Sequence, residues 1–169
     1  AAGAALLLAG RSTAVLIVAM VVAGAALGAA WGAIPGLLRA FLRTNEIITS
    51  LMLNYCAALV LNYLIFDSLS YWRDTSATGQ LFPQGKALPD AATWPVTTLG
   101  SIWVPLGFLL AIGVAAVIWV LYTRTTFGFE AQVIGDSPRA ARYAGMRTRR
   151  KIVAVMCLSG AVAGIGGAS

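Results

Sequence analysis

Two small sets of side chains carry the chemistry available to this sequence. Arg139 and Arg142 stand three residues apart in the stretch "DSPRAARYAG", residues 136–145. Guanidinium groups recognise carboxylates and phosphates through paired hydrogen bonds. Ser50, Asn54 and Asn62 stand inside an apolar run that holds no charged residue. They supply donors and acceptors without fixed charge. The groups that make and break bonds are absent or scattered. There is no histidine, the commonest general base and metal ligand. Cys56 and Cys157 each lie in an apolar run, so neither a disulfide framework nor a metal site is expected. The Gly85-Lys86 pair is followed by Ala87, so it lacks the hydroxyl of a phosphate-cradling Gly-x-x-x-x-Gly-Lys-(Ser/Thr) loop. The expectation is a protein that binds and positions, with no cofactor, no metal and no nucleic-acid partner, and not an enzyme.

The arginines sit in an element whose ends are marked by sequence. Ser137 is a good N-cap, Pro138 fits the first helical position, and Gly145 suits the residue just past a helix end. Together they bracket 138–144 as a helix of about two turns. A helix that short is unstable alone in water, and a cap adds only about 1 kcal/mol. It therefore needs a surface to dock on. Ala140, Ala141 and Ala144 make one side small, while Arg139 and Arg142 share a face and Tyr143 follows them. Arg139 lies near the positive end of the helix, where a nearby acid would offset it. Asp136 is one candidate and a carboxylate on another protein is the other. Arginines here can also anchor topology or touch anionic headgroups, but neither role calls for a capped helix.

The polar side chains in the apolar run are also patterned. Glu46, Ser50 and Asn54 recur every four residues, with Asn62 two turns further on. Thr44 or Asn45 can cap the start of that helix, and Glu46 in its first turn favours the positive dipole end. Asn54 and Asn62 must face a partner helix or an aqueous path, because amides facing lipid are costly. Small residues form a second pattern. Gly24, Gly28, Gly32 and Gly36 recur every four residues in one run, and Gly160 and Gly164 do so in another. Such stripes let helices approach closely in lipid.

The elements that hold these residues follow from composition. The chain is 59% hydrophobic and 11% charged, with a mean hydropathy of +0.82, which excludes an ordinary soluble domain. Runs 12–38, 47–66 and 102–123 are free of charge, and a fourth begins at 152. Each of the first three reaches the roughly 20 apolar residues that a bilayer core demands. The expected fold class is all-α, a polytopic bundle of membrane helices with spans near 13–36, 47–66, 102–123 and 152–169. Pro35 and Gly36 suggest an end or a bend in the first. The chain starts without Met and stops inside an apolar run, as expected for part of a longer protein.

Charge sets the expected topology. The connection 124–151 holds seven basic residues against Glu130 and Asp136. Burying those cations would cost about 2.5–3.5 kcal/mol each, and the positive-inside rule puts this loop in the cytoplasm. Alternation then places 67–101 outside and 37–46 inside, with Arg11 the one discordant residue. The outer connection, with Arg73 and Lys86 against Asp67, Asp74 and Asp90, is broken by Pro83, Pro89 and Pro95. Trp72, Phe82 and Trp94 in it suit either interfacial anchoring or contact with an outside partner.

Residues 127–168, from "FGFEAQVIGDSPRAARYAGM" through "CLSGAVAGIGGA", resemble the cytoplasmic loop and following span of permease subunits of bacterial ABC importers for branched-chain amino acids, simple sugars and nucleosides. "TNEIITSLMLNY", residues 44–55, resembles a segment of the nucleoside and simple-sugar branch, with Ser50 near the position where Thr is commoner. Met146 and Asp136-Ser137 are mild departures from the pattern. The resemblance implies that 137–145 form the coupling helix, seated in a groove of a separate ATP-binding cassette subunit. It implies a second permease subunit, identical or paralogous, and an extracytoplasmic substrate-binding protein. The expected function is the translocation path of an ATP-driven importer of a nucleoside or simple sugar, multi-pass in a bacterial plasma membrane. A structural subunit of a membrane complex and an ion-coupled secondary transporter are the alternatives. The second is disfavoured by the lack of histidine and of acids within the spans.

Overall fold

Glycine decides which helices meet. The structure, a computed structural model, describes residues 13–67, 74, 85–86, 96–99 and 102–168. Arg11, Trp72, Arg73, Phe82, Asp90 and Trp94 lie outside the described residues. Helix α1 spans Thr13–Leu37 and runs on through a π turn, Leu38–Leu42. Helix α2 spans Glu46–Asn62 and closes with a π turn, Tyr63–Asp67. Strands β1 (Val96–Leu99) and β2 (Ile102–Pro105) precede α3, Leu106–Arg124. Then come α4 (Thr126–Asp136), α5 (Pro138–Tyr143) and α6 (Thr148–Gly166).

The two glycine stripes face each other. A Cβ added at Gly24 would fall 2.5 Å from the Gly164 carbonyl oxygen, and one at Gly32 would fall 2.7 Å from that of Met156. At Gly28 and Gly160 the overlap is worse, each meeting the other's carbonyl oxygen. Partner numbers fall along α6 as they rise along α1, so the helices are antiparallel and their backbones touch. Sequence gave each stripe its spacing, and the structure makes each the other's partner. Leu16 and Met20 are buried on the same helix, and Ala168 closes the far end. The closeness yields dispersion contact, which drives association where lipid and side chains are equally apolar.

Three helical stretches among the described residues are long and apolar enough to cross a membrane: Ala14–Leu42, Glu46–Phe66 and Gly107–Arg124. None of the second or third is buried within this chain. Those helices offer whole faces to lipid or to other helices. The fourth expected span is helical, but α6 begins at Thr148 and takes Arg149, Arg150 and Lys151 into its first turn.

Several local expectations are corrected. Pro35 does not end α1; the helix continues past it, and Pro35 and Gly36 are both buried. The π turn ends instead at Arg43, whose φ of 56° lies in the left-handed region. Among the described residues the all-α bundle also carries a small β hairpin, β1 with β2 antiparallel, pairing Leu99 with Ile102 and Val96 with Pro105. The run 102–123 therefore opens as strand and turns helical at Leu106. Its signal was present: β-branched and aromatic residues flank Gly100-Ser101.

The glycine contact yields a direct test. Gly28→Ala should lower the Tm of the purified protein, at a cost of about 1–3 kcal/mol for overpacking. Gly113→Ala should not, because an added Cβ there meets nothing within 4 Å. Equal Tm values for the two variants would contradict the packing described.

Candidate functional site: a capped helical elbow at one end of the bundle

Ser137 joins two helices by capping both. Its backbone is extended, at φ −149° and ψ 95°. Its N–H donates to Val133 O at 3.0 Å, closing α4. Its hydroxyl accepts from Ala140 N at 3.3 Å, opening α5. Pro138 takes the first helical position, as expected. At the other end Gly145 N donates to Arg142 O and Met146 N to Ala141 O, both at 3.0 Å. This is the Schellman arrangement, with Gly145 at φ +74°. The helix is therefore fixed by sequence at both ends, over 138–143.

Its faces are unequal. Ala141 is fully buried against its own chain, while Tyr143 is 94% exposed. Of the three small residues expected to admit a neighbour, Ala140 and Ala144 remain outside and Ala141 does not. Arg139, Arg142 and Tyr143 bound an outward cavity of about 400 Å³. The Arg142 Nε donates to Pro138 O at 3.2 Å, which lays the guanidinium along its own helix. Among the described residues neither arginine is in an ion pair, so Asp136 is not the acid beside Arg139.

The elbow is carried by α4, which occupies part of the connection expected over 124–151. Gly128 lets α4 fold back on α3, since a Cβ there would lie 2.5 Å from Tyr122 Cα. Tyr122 and Phe127 stack edge to face at 6.3 Å. Glu130 pairs with Lys151 of α6 at 2.8 Å, and Lys151 Nζ lies 4.8 Å from the Phe127 ring centroid. A pair this exposed is worth about 0–1 kcal/mol. Its effect is to fix where α4, and hence α5, stands against α6.

The 37–46 connection lies at the same end. Asn45 caps α2, its Oδ1 accepting from Ile47 N at 3.0 Å. Glu46 adds to its expected first-turn role an ion pair with Arg39 at 2.5 Å. A cavity of about 740 Å³ opens between this connection and the elbow, with Arg39, Glu46, Gln132, Pro138 and Lys151 on its wall.

The polar side chains of α2 lie apart from this end. The Ser50 hydroxyl donates to Ile47 O at 3.0 Å within its own helix. Asn54 and Asn62 are exposed, and α2 buries no residue. Neither amide bonds another described residue, so among the described residues nothing uses them as a link between helices. Among the described residues no cluster of His, Cys, Asp or Glu suits a metal ion.

The sequence matches, over residues 1–169, the family described as branched-chain amino acid transport system / permease component. It is 32% identical over 135 residues to the nucleoside ABC transporter permease protein NupB of Lactococcus lactis, covering 78% of this chain and 36% of that protein. It is 35% identical over 132 residues to the guanosine ABC transporter permease protein NupP of Bacillus subtilis, covering 78% and 36%. It is 36% identical over 139 residues to the glucose ABC transporter permease protein TsgB13 of Haloferax volcanii, covering 77% and 35%. The chain thus spans about a third of the length of the curated relatives it matches. No solved structure matches it.

The end of α5 can be tested by backbone preference. Gly145→Val forces a β-branched residue to positive φ and should cost about 1–2 kcal/mol. Gly145→Asn, which tolerates that region, should stay near native. Hydrogen exchange across 138–146 reads the difference, and equal protection in both variants would contradict the turn geometry.

Proposed function

The chain belongs to the family of branched-chain amino acid transport system permease components, and on that premise we propose that it forms part of the membrane path of an ATP-driven importer of nucleosides or simple sugars. The single observation that carries the coupling half of this reading is α5 itself. It is a short helix, capped at both ends, held on an elbow, with Arg139, Arg142 and Tyr143 turned outward. Such a helix is a rigid peg. Its fit is a groove on the separate ATP-binding subunit, with carboxylates at the rim for the arginines and an apolar slot for the tyrosine ring. Movement of that groove would pass through α5 and α4 to α6 by way of Glu130 and Lys151, and from α6 to α1 through the glycine contact.

In this reading 124–151 and 37–46 face the cytoplasm and 67–101 faces outside. Two observations support it: the two inner connections share one end of the helices, and α1 and α6 are antiparallel. A second permease subunit would cover the bare faces of α2 and α3, and an extracytoplasmic binding protein would meet the outer connection. ATP hydrolysis falls to the partner.

The substrate reading rests on α2 and on the relatives, whose names speak of nucleosides, guanosine and glucose. Asn54 and Asn62 are amides at membrane depth with no partner among the described residues. They suit a path for solutes rich in hydroxyl and amide groups. Ser50 sits one turn from Asn54, and its hydroxyl already donates a hydrogen bond to the backbone. Weak, exchangeable contacts serve permeation better than a tight cage.

Arg139→Glu with Arg142→Glu should lower nucleotide-driven uptake into vesicles about tenfold or more, as for loss of an interface hot spot, while membrane insertion is unchanged. Normal uptake would leave the arginines as topology anchors. Asn54→Leu should slow uptake per assembled complex about fivefold, the worth of one hydrogen bond. Unstable complexes with normal uptake per complex would make Asn54 a packing residue instead.

A further inference from the structure

The start of α6 carries three arginines that the coupling reading does not use. Arg147, just before the helix, and Arg149 and Arg150 within it are exposed. None is in an ion pair among the described residues. With Phe41, Met146 and Thr148 they line a cavity of about 390 Å³. A second cavity of about 320 Å³ adjoins it, lined by Leu37, Phe41, Arg149, Arg150, Val153 and Ala154. Phe41, Arg149 and Arg150 form the shared wall. Within that wall the Arg149 guanidinium carbon lies 5.5 Å from the Phe41 ring centroid. The first cavity is rimmed by cations. The second runs toward the apolar part of α6 and, beyond the arginine stems, is hydrocarbon.

We propose that the two cavities together bind one anionic glycerophospholipid, bridging α1 and α6. Its phosphate lies on Arg147, Arg149 and Arg150, and an acyl chain lies along Leu37, Phe41, Val153 and Ala154. The charge argument is direct. Three cations without an internal acid call for an anion, and guanidinium forks match phosphate oxygens. Basic residues beside a membrane helix draw anionic lipid. The shape argument excludes simpler occupants. Free phosphate or an acidic headgroup analogue fills the basic cavity and leaves the apolar one unfilled, whereas a lipid fills both. Phe41, 62% exposed within this chain, gains a neighbour on its open side. The inference rests on the membrane placement of α1 and α6, not on what the protein carries or on docking through α5. The lipid would hold the end of α1 to the start of α6, beside the elbow.

Native mass spectrometry of the full-length permease in its assembled complex tests this. The probes are palmitoyl-oleoyl phosphatidylglycerol, the matching phosphatidylcholine, and inorganic phosphate. Phosphatidylglycerol should be retained and the other two should not. Arg147→Gln with Arg149→Gln and Arg150→Gln should lower its occupancy on the order of 100-fold, and Arg150→Gln alone about fivefold. Ala154→Trp keeps every arginine, fills the apolar cavity, and should lower occupancy about tenfold through lost acyl contact. Arg139→Gln with Arg142→Gln removes like charge outside the two cavities and, whatever it does to docking through α5, should leave phosphatidylglycerol occupancy per permease unchanged. Equal retention of the two lipids would overturn the proposal. So would phosphate held as well as lipid, occupancy that survives Ala154→Trp, or a loss reproduced by the Arg139 and Arg142 control.

Discussion

Backbone contact between α1 and α6 is the constraint from which the rest follows. Lipid removes the usual reason for helices to associate, so close packing must supply it. At Gly24, Gly28, Gly32, Gly160 and Gly164 no side chain stands between the two backbones. The antiparallel register brings the end of α1 and the start of α6 to one end of the pair. The 37–46 connection, the α4–α5 elbow and most of the basic residues then gather there. A single carbon atom at Gly28 would push α6 away and carry the elbow with it.

Charge at that end is divided between two tasks. Arg39 and Lys151 are spent inside the chain, on Glu46 and Glu130. They position connections more than they stabilise them, because partly exposed pairs contribute little. Arg139, Arg142, Arg147, Arg149 and Arg150 point outward without an acid among the described residues. Two of them ride on a capped helix with an exposed tyrosine and suit a shaped protein groove. The other three sit over an apolar slot and suit a lipid. The positive-inside rule gives a reason for these charges to share one end of the helices, but not for the separate geometries of the two groups.

Local signals were legible in the sequence and pairings were not. The caps of α5 could be read because Ser137, Pro138 and Gly145 act within one turn. The glycine stripes could be read because helical spacing is periodic, but nothing in a stripe names its partner. Charge counting hides helix α4, because it treats 124–151 as one loop; the break at Thr125 and the contacts of Phe127 and Gly128, in the first turn of α4, with Tyr122 leave no mark in the charge pattern. At Pro35 and Gly36, where an end or a bend is expected, α1 runs on to Leu37 and passes into a π turn that closes at the left-handed Arg43. Alanine spacing showed a small side on α5 but not which alanine lies against the protein. The hairpin before α3 is not legible because an apolar run at a span edge reads equally as strand or helix. Asn54 and Asn62 were found by rarity alone, since an amide among apolar residues stands out before any partner is known.

The central claim is that the outward face of α5 docks in a separate ATPase subunit while its inner face rests on the permease. Site-directed crosslinking separates those faces within one turn of helix. In a full-length permease with Cys56 and Cys157 replaced and the ATPase co-expressed, a single cysteine is introduced as Tyr143→Cys or as Ala141→Cys. With a short thiol-to-amine crosslinker, the position-143 cysteine should join the ATPase subunit and the position-141 cysteine should not. Crosslinking to the ATPase from position 141, or from neither position in complexes that still transport, would contradict the account.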